Sequence, residues 1–338
     1  MKPKVVIAGG GAAGMAVALR LERLGVEPVI VEREERLGGK VRGWHKLFPT
    51  FTPAAEVLDP LVAQIGRRGI ECRTGAAVEA LSEHGVKLAS GQTIEADAVV
   101  VATGFTLFDA RRKEEYGYGI YDNVVTSADL ERMMNEGAVR LADGSTPRRI
   151  ALLHCVGSRD EKVCQRHCSK VCCITGVKQA IELKKMFPEA DVFNFYMDIR
   201  MFGAGYEELY REAQQSYNIH FVRGRISEAS PMINGRIQIK AEDTLTGRPL
   251  RMSIDMLVLL AGMRANDDNA ALAAAAGLAL APNGFMQSAD PFLGAVRSPR
   301  RGIFYAGAVT APKSLADTLA EASLTADAVM DYLNSVQR

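Results

Sequence analysis

Tryptophan occurs once in 338 residues, histidine five times and cysteine six times. Six cysteines in a chain of this length are too few for the disulfide scaffold of a small secreted domain. An excess of charge is also missing. With 41 basic and 40 acidic side chains the formal net charge is +1, so no field gathers nucleic acid or another polyanion. Apolar runs stop well short of the roughly 18 residues of a membrane helix, and Met1-Lys2-Pro3-Lys4 leads directly into a strand instead of an apolar signal segment. Short-period repeats and low-complexity tracts are absent. A cytoplasmic protein with no transmembrane segment and no nucleic-acid partner is expected.

The residues that are present suit a globular chain: 48% are hydrophobic and 24% charged, in a length that suggests about two domains. Lys4 to Ala8 is a continuous apolar run typical of a parallel strand buried on both faces. Ala12 to Leu24 has helical periodicity and stops at Gly25, and Val29 to Glu32 predicts the next strand. A similar unit returns later, with a strand from Arg149 to Leu153, a helix from Ile174 to Met186 ahead of Pro188, and a strand from Val192 to Met197. Ala98 to Ala102 and Asp255 to Gly262 predict buried strands that end in small-residue turns, and Gly302 to Gly307 predicts a last strand before a helix from about Ser314 to Leu333. The expected fold is α/β with two Rossmann-like nucleotide-binding domains. Residues 1–110 and 270–338 form the first, and residues 111–269 are inserted as the second.

The first turn, Gly9-Gly10-Gly11-Ala12-Ala13-Gly14, has strand, helix and acid in the places a dinucleotide site requires. Gly9 permits the tight turn, Gly11 admits the pyrophosphate, and Gly14 lets the helix pack on the strand. The free N–H groups of that helix bind phosphate, and Glu32 is placed to accept ribose hydroxyls. Glu32 is followed by Arg36-Leu37-Gly38-Gly39-Lys40, and Ala102-Thr103-Gly104 closes a later strand; both resemble motifs of FAD-binding relatives of this fold. Candidate FAD residues are therefore Gly9, Gly11, Ala12, Ala13, Gly14, Glu32, Arg33, Gly38, Gly39, Lys40, Val78, Ala102, Thr103, Gly104, Gly307, Ala308, Ser314 and Leu315. Ala308 departs from those relatives, most of which have an acid there for the ribityl chain.

The second unit has no glycine fingerprint. Its first strand runs into His154-Cys155-Val156-Gly157, and Cys155, Cys164, Cys168, Cys172 and Cys173 fall within 19 residues. In a two-nucleotide reductase this turn would hold NADH, so the cysteines occupy its place. Zinc would call for paired C-x2-C knuckles and a redox dithiol for a short C-x2-C or C-x4-C spacing, and neither fits well. Four soft thiolates with one remote cysteine suit an iron–sulfur cluster best.

His154-Cys155-Val156-Gly157-Ser158-Arg159-Asp160 and His167-Cys168-Ser169-Lys170-Val171-Cys172-Cys173 resemble the signature of the heterodisulfide reductase A-subunit (HdrA) family and its quinone-interacting oxidoreductase relatives. Phe48-Pro49-Thr50, Tyr196-Met197-Asp198-Ile199-Arg200 and Val222-Arg223-Gly224-Arg225 agree. The resemblance implies FAD and one [4Fe–4S] cluster in a thioredoxin-reductase-like body, with Cys155, Cys168, Cys172 and Cys173 as ligands, Cys164 outside the pattern, and Lys178 as a catalytic cation near the flavin. The short chain without further cysteine motifs is similar to subunits of the heterodisulfide-reductase-like complex of sulfur oxidation. That likeness implies other iron–sulfur subunits and a lipoate-binding protein as partners, and a homodimer. A quinone-interacting complex, a stand-alone flavin disulfide reductase and a scaffold that merely retains FAD are the alternatives. Trp44, His45, Phe48 and Phe51 are expected to be packing residues.

Overall fold

The computed structural model describes residues 2–336. Met1 and residues 337–338, assigned above to the first domain, lie outside them. The chain divides into two compact units: one comprises the residues up to Arg42, Ala54–Thr106 and those from Arg264 onward, the other Gly43–Pro53 and Leu107–Met263.

In the first unit five parallel strands lie in the order Ile303–Tyr305, Ala98–Val101, Lys4–Ala8, Glu27–Val31, Glu71–Arg73. Val5, Val6, Ile7 and the whole of Ala98–Val101 are fully buried, which is why these runs are apolar without alternation. The helix Ala12–Arg23 and the C-terminal helix Leu315–Val336 pack against each other. Alanine, glycine and valine dominate the buried face of the first of these, so the two backbones can approach closely. An antiparallel meander, Val78–Ser82, Gly85–Leu88 and Thr93–Glu95, completes the core with Leu81, Val86, Leu88 and Ile94.

The second unit repeats this plan. Its five parallel strands follow the order Val124–Thr126, Met256–Ala261, Arg149–Val156, Asp191–Tyr196, His220–Arg223, beside an antiparallel meander of Ile226–Pro231, Ile237–Asp243 and Arg248–Ile254. The helix Cys172–Met186 packs on the central strands through Ile174, Val177, Ala180 and Ile181. Helix Ser127–Asn135 starts in a reciprocal capping box between Thr126 and Asp129.

Residues 43–53 pack with this second unit, where the sequence had assigned all of 1–110 to the first domain. The cause is polar and aromatic: the His45 N–H donates to Glu131 Oε2 at 2.8 Å, Asn135 Nδ2 donates to Gly43 O at 3.1 Å, and the Phe48 ring meets Tyr206 edge-on with centroids 5.6 Å apart. No helix among the described residues is long and apolar enough to cross a membrane.

Candidate cofactor turns and cysteine site

The strand Lys4–Ala8 ends in a turn that only glycine can make. Gly9 has φ +116°, and a Cβ there would lie 2.4 Å from Ala102 O; a Cβ at Gly14 would lie 1.9 Å from Gly9 O. Gly11, by contrast, faces open space bounded only by Gly39 Cα at 4.0 Å. Gly38 N–H donates to Gly10 O at 2.8 Å, so the Gly38-Gly39 turn is laid against the first glycine turn. Both left-handed glycines there, φ +119° and +55°, allow that approach. The helix from Ala12 carries no acid in its first turn, and its N–H groups remain available for an anion.

Glu32 is buried, and its carboxylate accepts from Gly10 N–H at 2.7 Å and Glu34 N–H at 2.9 Å. Those bonds fix the acid at the end of the second strand, and Ala76 N–H on Glu32 O brings the segment leading to Val78 to the same edge. Lys40 stands over the Phe105 ring at 5.7 Å, and burial followed by the charge of Arg33 pulls its pKa down. Arg33 points outward to Asp268 at 2.9 Å. Ala102 N–H bonds Ala8 O, Asn266 Nδ2 donates to Thr103 O at 2.8 Å, and the buried Thr103 Oγ1 has no partner. A buried hydroxyl without a partner beside a glycine-lined opening fits a polar cofactor.

Gly307 sits against Ala13, where a Cβ would come within 2.8 Å of the Ala13 Cβ. Its N–H donates to Glu321 Oε1 and its carbonyl accepts from Lys313 Nζ. Glu321, six residues past the start of the last helix, thus brings an acid to Gly307 from a position the sequence did not single out. Ser314 Oγ accepts from Asp317 N–H at 3.1 Å and opens the helix that begins at Leu315.

In the second unit the corresponding turn carries Cys155. Cys155, Cys172 and Cys173 are buried together with Leu260, and Met197 and Met201 pack on them. Cys155 Sγ and Cys172 Sγ lie 3.8 Å apart, and Cys173 Sγ points to Asp198 O at 3.6 Å. Cys168 is half-buried and accepts from Lys170 N–H at 3.3 Å, whereas Cys164 is exposed. The Cys172 thiol donates to both neighbours, which raises its own pKa. This donation and the His154 charge outweigh burial at the others, lowering Cys173 to about 4 and Cys155 to about 6. Thiolate is the ligand form of cysteine. Cys155, Arg159, Cys164 and Lys170 all have φ between 53° and 61°, a run of left-handed non-glycine residues of the kind that clusters at functional sites. Among the described residues no group of three or more His, Cys, Asp or Glu is arranged to hold a single metal ion.

Asp160 anchors the loop between these cysteines. Its Oδ2 accepts from Lys113 Nζ at 2.9 Å and Arg225 Nη2 at 2.7 Å, and its Oδ1 accepts from Lys162 N–H. Burial works to raise its pKa, but the Lys113 hydrogen bond and the Arg225 charge prevail and hold it below the usual range. A folded-state pKa below the unfolded one contributes stability that is complete above about pH 3.9 and disappears as pH falls through the lowered value. Asp160→Asn should therefore flatten the acid limb of the stability profile and lower stability at pH 7, as checked by denaturant midpoints between pH 2 and 7.

Lys178 lies on the cysteine-bearing helix and is 2% exposed. Its Nζ contacts Glu131 Oε1 at 2.5 Å and Glu182 Oε2 at 2.9 Å. Gln179 Nε2 also donates to Glu131, and His45 Nδ1 bonds Glu182 at 2.8 Å. His45 is thus a polar partner rather than mere packing. Glu182 was detectable as the i+4 neighbour of Lys178; Glu131, 47 residues away, had no sequence signal.

A sequence model of the pyridine nucleotide-disulphide oxidoreductase family matches residues 3–131. The solved thioredoxin reductases of T. acidophilum and Lactococcus lactis have the same fold, with TM-scores of 0.68 and 0.71 at 17% identity, covering 99% of this chain and all of theirs. By sequence the chain is similar to the iron-sulfur A-subunit of the CoB–CoM heterodisulfide reductase of Methanocaldococcus jannaschii, 32% identical over 96% of this chain. It is also similar to the A-subunit of the H(2)/formate:CoB–CoM heterodisulfide,ferredoxin reductase of Methanococcus maripaludis, 42% identical over 70% of it. The chain spans 63% and 37% of the length of these two relatives.

Proposed function

We propose that this chain is an oxidoreductase of the heterodisulfide reductase A-subunit kind, carrying FAD and one [4Fe–4S] cluster in a cytoplasmic heterodisulfide-reductase-like complex of sulfur oxidation. The observation that carries it is the buried group of Cys155, Cys172 and Cys173, two of them favoured as thiolates, at the turn where the sister unit has its glycines. Similarity to a relative named as an iron-sulfur protein supports the same assignment. FAD exchanges electrons singly or in pairs and a [4Fe–4S] cluster singly, so together they would join a two-electron donor to a one-electron chain.

In this proposal the Gly9–Gly14 turn and Gly38-Gly39 hold the diphosphate, Glu32 meets the ribose, and Thr103 Oγ1 supplies a hydrogen bond from its buried position. Arg33, Lys40, Val78, Ala102, Gly104, Gly307, Ala308, Ser314 and Leu315 border the same cofactor. Cys155, Cys168, Cys172 and Cys173 hold the cluster, with Cys164 left free. Lys178 brings a cation that favours reduced flavin, and Glu131 and Glu182 hold its Nζ in place. Further iron–sulfur subunits, a lipoate-binding protein and a second copy of the chain are the proposed partners. The 3.8 Å contact of Cys155 with Cys172 favours a second possibility, a dithiol exchanging with disulfides.

Anaerobic purification with iron, sulfide and FAD counts decides between them. About four irons, about four sulfides and about one FAD per chain are expected. Cys172→Ser and Cys173→Ser should each abolish the broad visible absorption of the cluster while leaving FAD bound. Wild-type protein with FAD and no iron after reconstitution would transfer the cysteines to disulfide exchange.

A further inference from the structure

The loop from Cys155 to Cys168 doubles back at Arg159. This residue has φ +53°, its N–H donates to His167 O at 3.0 Å, and Asp160 beside it exchanges two backbone hydrogen bonds with Gln165. The turn sends the guanidinium across to the end of the strand Asp191–Tyr196, where Nη2 donates to Asp198 Oδ2 at 2.6 Å. The Arg159 side chain is 23% exposed and that of Asp198 47%, so the cation lies deeper than its partner. Asp198 touches the thiols through its backbone: its carbonyl receives Cys173 Sγ at 3.6 Å, and its neighbours Met197 and Met201 pack on Cys155, Cys172 and Cys173. The ion pair therefore joins the loop that carries Cys155 to the loop that covers Cys173.

The charge of Arg159 reaches the thiols as well. The Cys172 hydrogen bond does most to lower the Cys155 pKa, and the charges of His154 and then Arg159 act in the same direction. Burial works to lower the Arg159 pKa, but the Asp198 hydrogen bond and the charges of Cys155, Asp198 and Cys168 prevail and raise it. Arg200 and Arg223 act on Asp198 from its exposed side. Charges and hydrogen bonds around ligand sulfurs are among the levers by which a protein sets the potential of the group they hold.

We infer that Arg159 raises the reduction potential of the group held by the thiolates, with Asp198 fixing the guanidinium in place and tempering its charge. This inference rests on the cluster assignment above. Uptake of one electron adds one negative charge to that group and oxidises the donor by one electron. A fixed cation beside the thiolates favours the more negative state, and a fixed carboxylate opposes it.

The test is an anaerobic dithionite titration of the purified holoprotein with mediator dyes, followed by electron paramagnetic resonance, for wild type, Arg159→Gln, Arg159→Lys and Asp198→Asn. At the wild-type midpoint, Arg159→Gln should hold a ratio of reduced to oxidised cluster about three- to tenfold smaller, tenfold being about 59 mV for one electron. Asp198→Asn keeps an acceptor for the guanidinium but loses the negative charge, so its ratio should be about two- to threefold larger. Arg159→Lys keeps the charge and should stay within about twofold of wild type. A role confined to shaping the loop would move Arg159→Gln and Arg159→Lys alike. The inference is overturned by a wild-type potential in Arg159→Gln, by a downward shift in Asp198→Asn, or by a shift in Arg159→Lys as large as in Arg159→Gln. If Arg159→Gln takes up no iron, the sign of the Asp198→Asn shift beside an unmoved Arg159→Lys decides. Wild-type protein without iron after reconstitution fails the cluster assignment itself, whereas iron-loaded protein whose potential ignores Arg159 fails this inference alone.

Discussion

Gly14→Ala should unfold the first unit or leave it at least about 3 kcal/mol less stable. The added Cβ would sit 1.9 Å from Gly9 O and 3.1 Å from Gly9 C, and both are backbone atoms of the turn itself. No side chain can swing away to relieve the clash, so either the helix Ala12–Arg23 leaves the sheet or the turn changes shape. Gly11→Val makes the informative contrast. A Cβ added there would meet only Gly39 Cα at 4.0 Å, and Gly11 is the N-cap of its helix, so the variant should keep its unfolding free energy to within about 1–2 kcal/mol of wild type. It should also purify without FAD, because the valine fills the space assigned to the diphosphate. A normal midpoint for Gly14→Ala would refute the packing, and stoichiometric flavin in Gly11→Val would refute the phosphate assignment.

Lys178→Met carries the second large effect. The substitution preserves the volume of the stem but strands Glu131 and Glu182, two buried carboxylates, without their shared cation. Removing one partner from a buried ion cluster costs about 3–5 kcal/mol. Adding Glu131→Gln removes one stranded charge and keeps one acceptor oxygen for either the Gln179 or the His45 donor, so the double variant should recover part of the loss. Chemical denaturation of the two single variants and the double variant gives the coupling directly. A Lys178→Met protein as stable as wild type would show that the cluster holds nothing together.

The central strands of both units could be located from the sequence because burial on two faces leaves unbroken apolar runs, as in Ala98-Val99-Val100-Val101. The glycine turn was equally clear, since close backbone approach leaves no other choice at Gly9 and Gly14. Helix Ala54–Arg67 was not foreseen: Pro60 lies inside it and signals a break that the surrounding packing overrides. Helix Tyr206–Gln215 was missed because it buries only Leu209 and Ala213, too narrow a stripe to show periodicity. In the site, the cysteine spacing exposed the thiols but not their supports. Asp160 meets Lys113 and Arg225 from 47 and 65 residues away, and such pairings leave no local pattern. His45 was expected as packing because an isolated histidine between aromatics gives no hint of Glu182.

The interleaving of the two units also sets an order of manufacture. The first sheet takes its strands from Lys4–Ala8, Glu27–Val31, Glu71–Arg73 and Ala98–Val101, but its outer member, Ile303–Tyr305, is translated only after the whole second unit. Gly307 and Glu321, together with the helix that covers Ala12–Arg23, emerge later still. On the ribosome the second unit therefore has all its strands while the first still lacks a sheet edge and a covering helix. The packing of Gly307 against Ala13 at the first glycine turn is consequently among the last events in the birth of the chain.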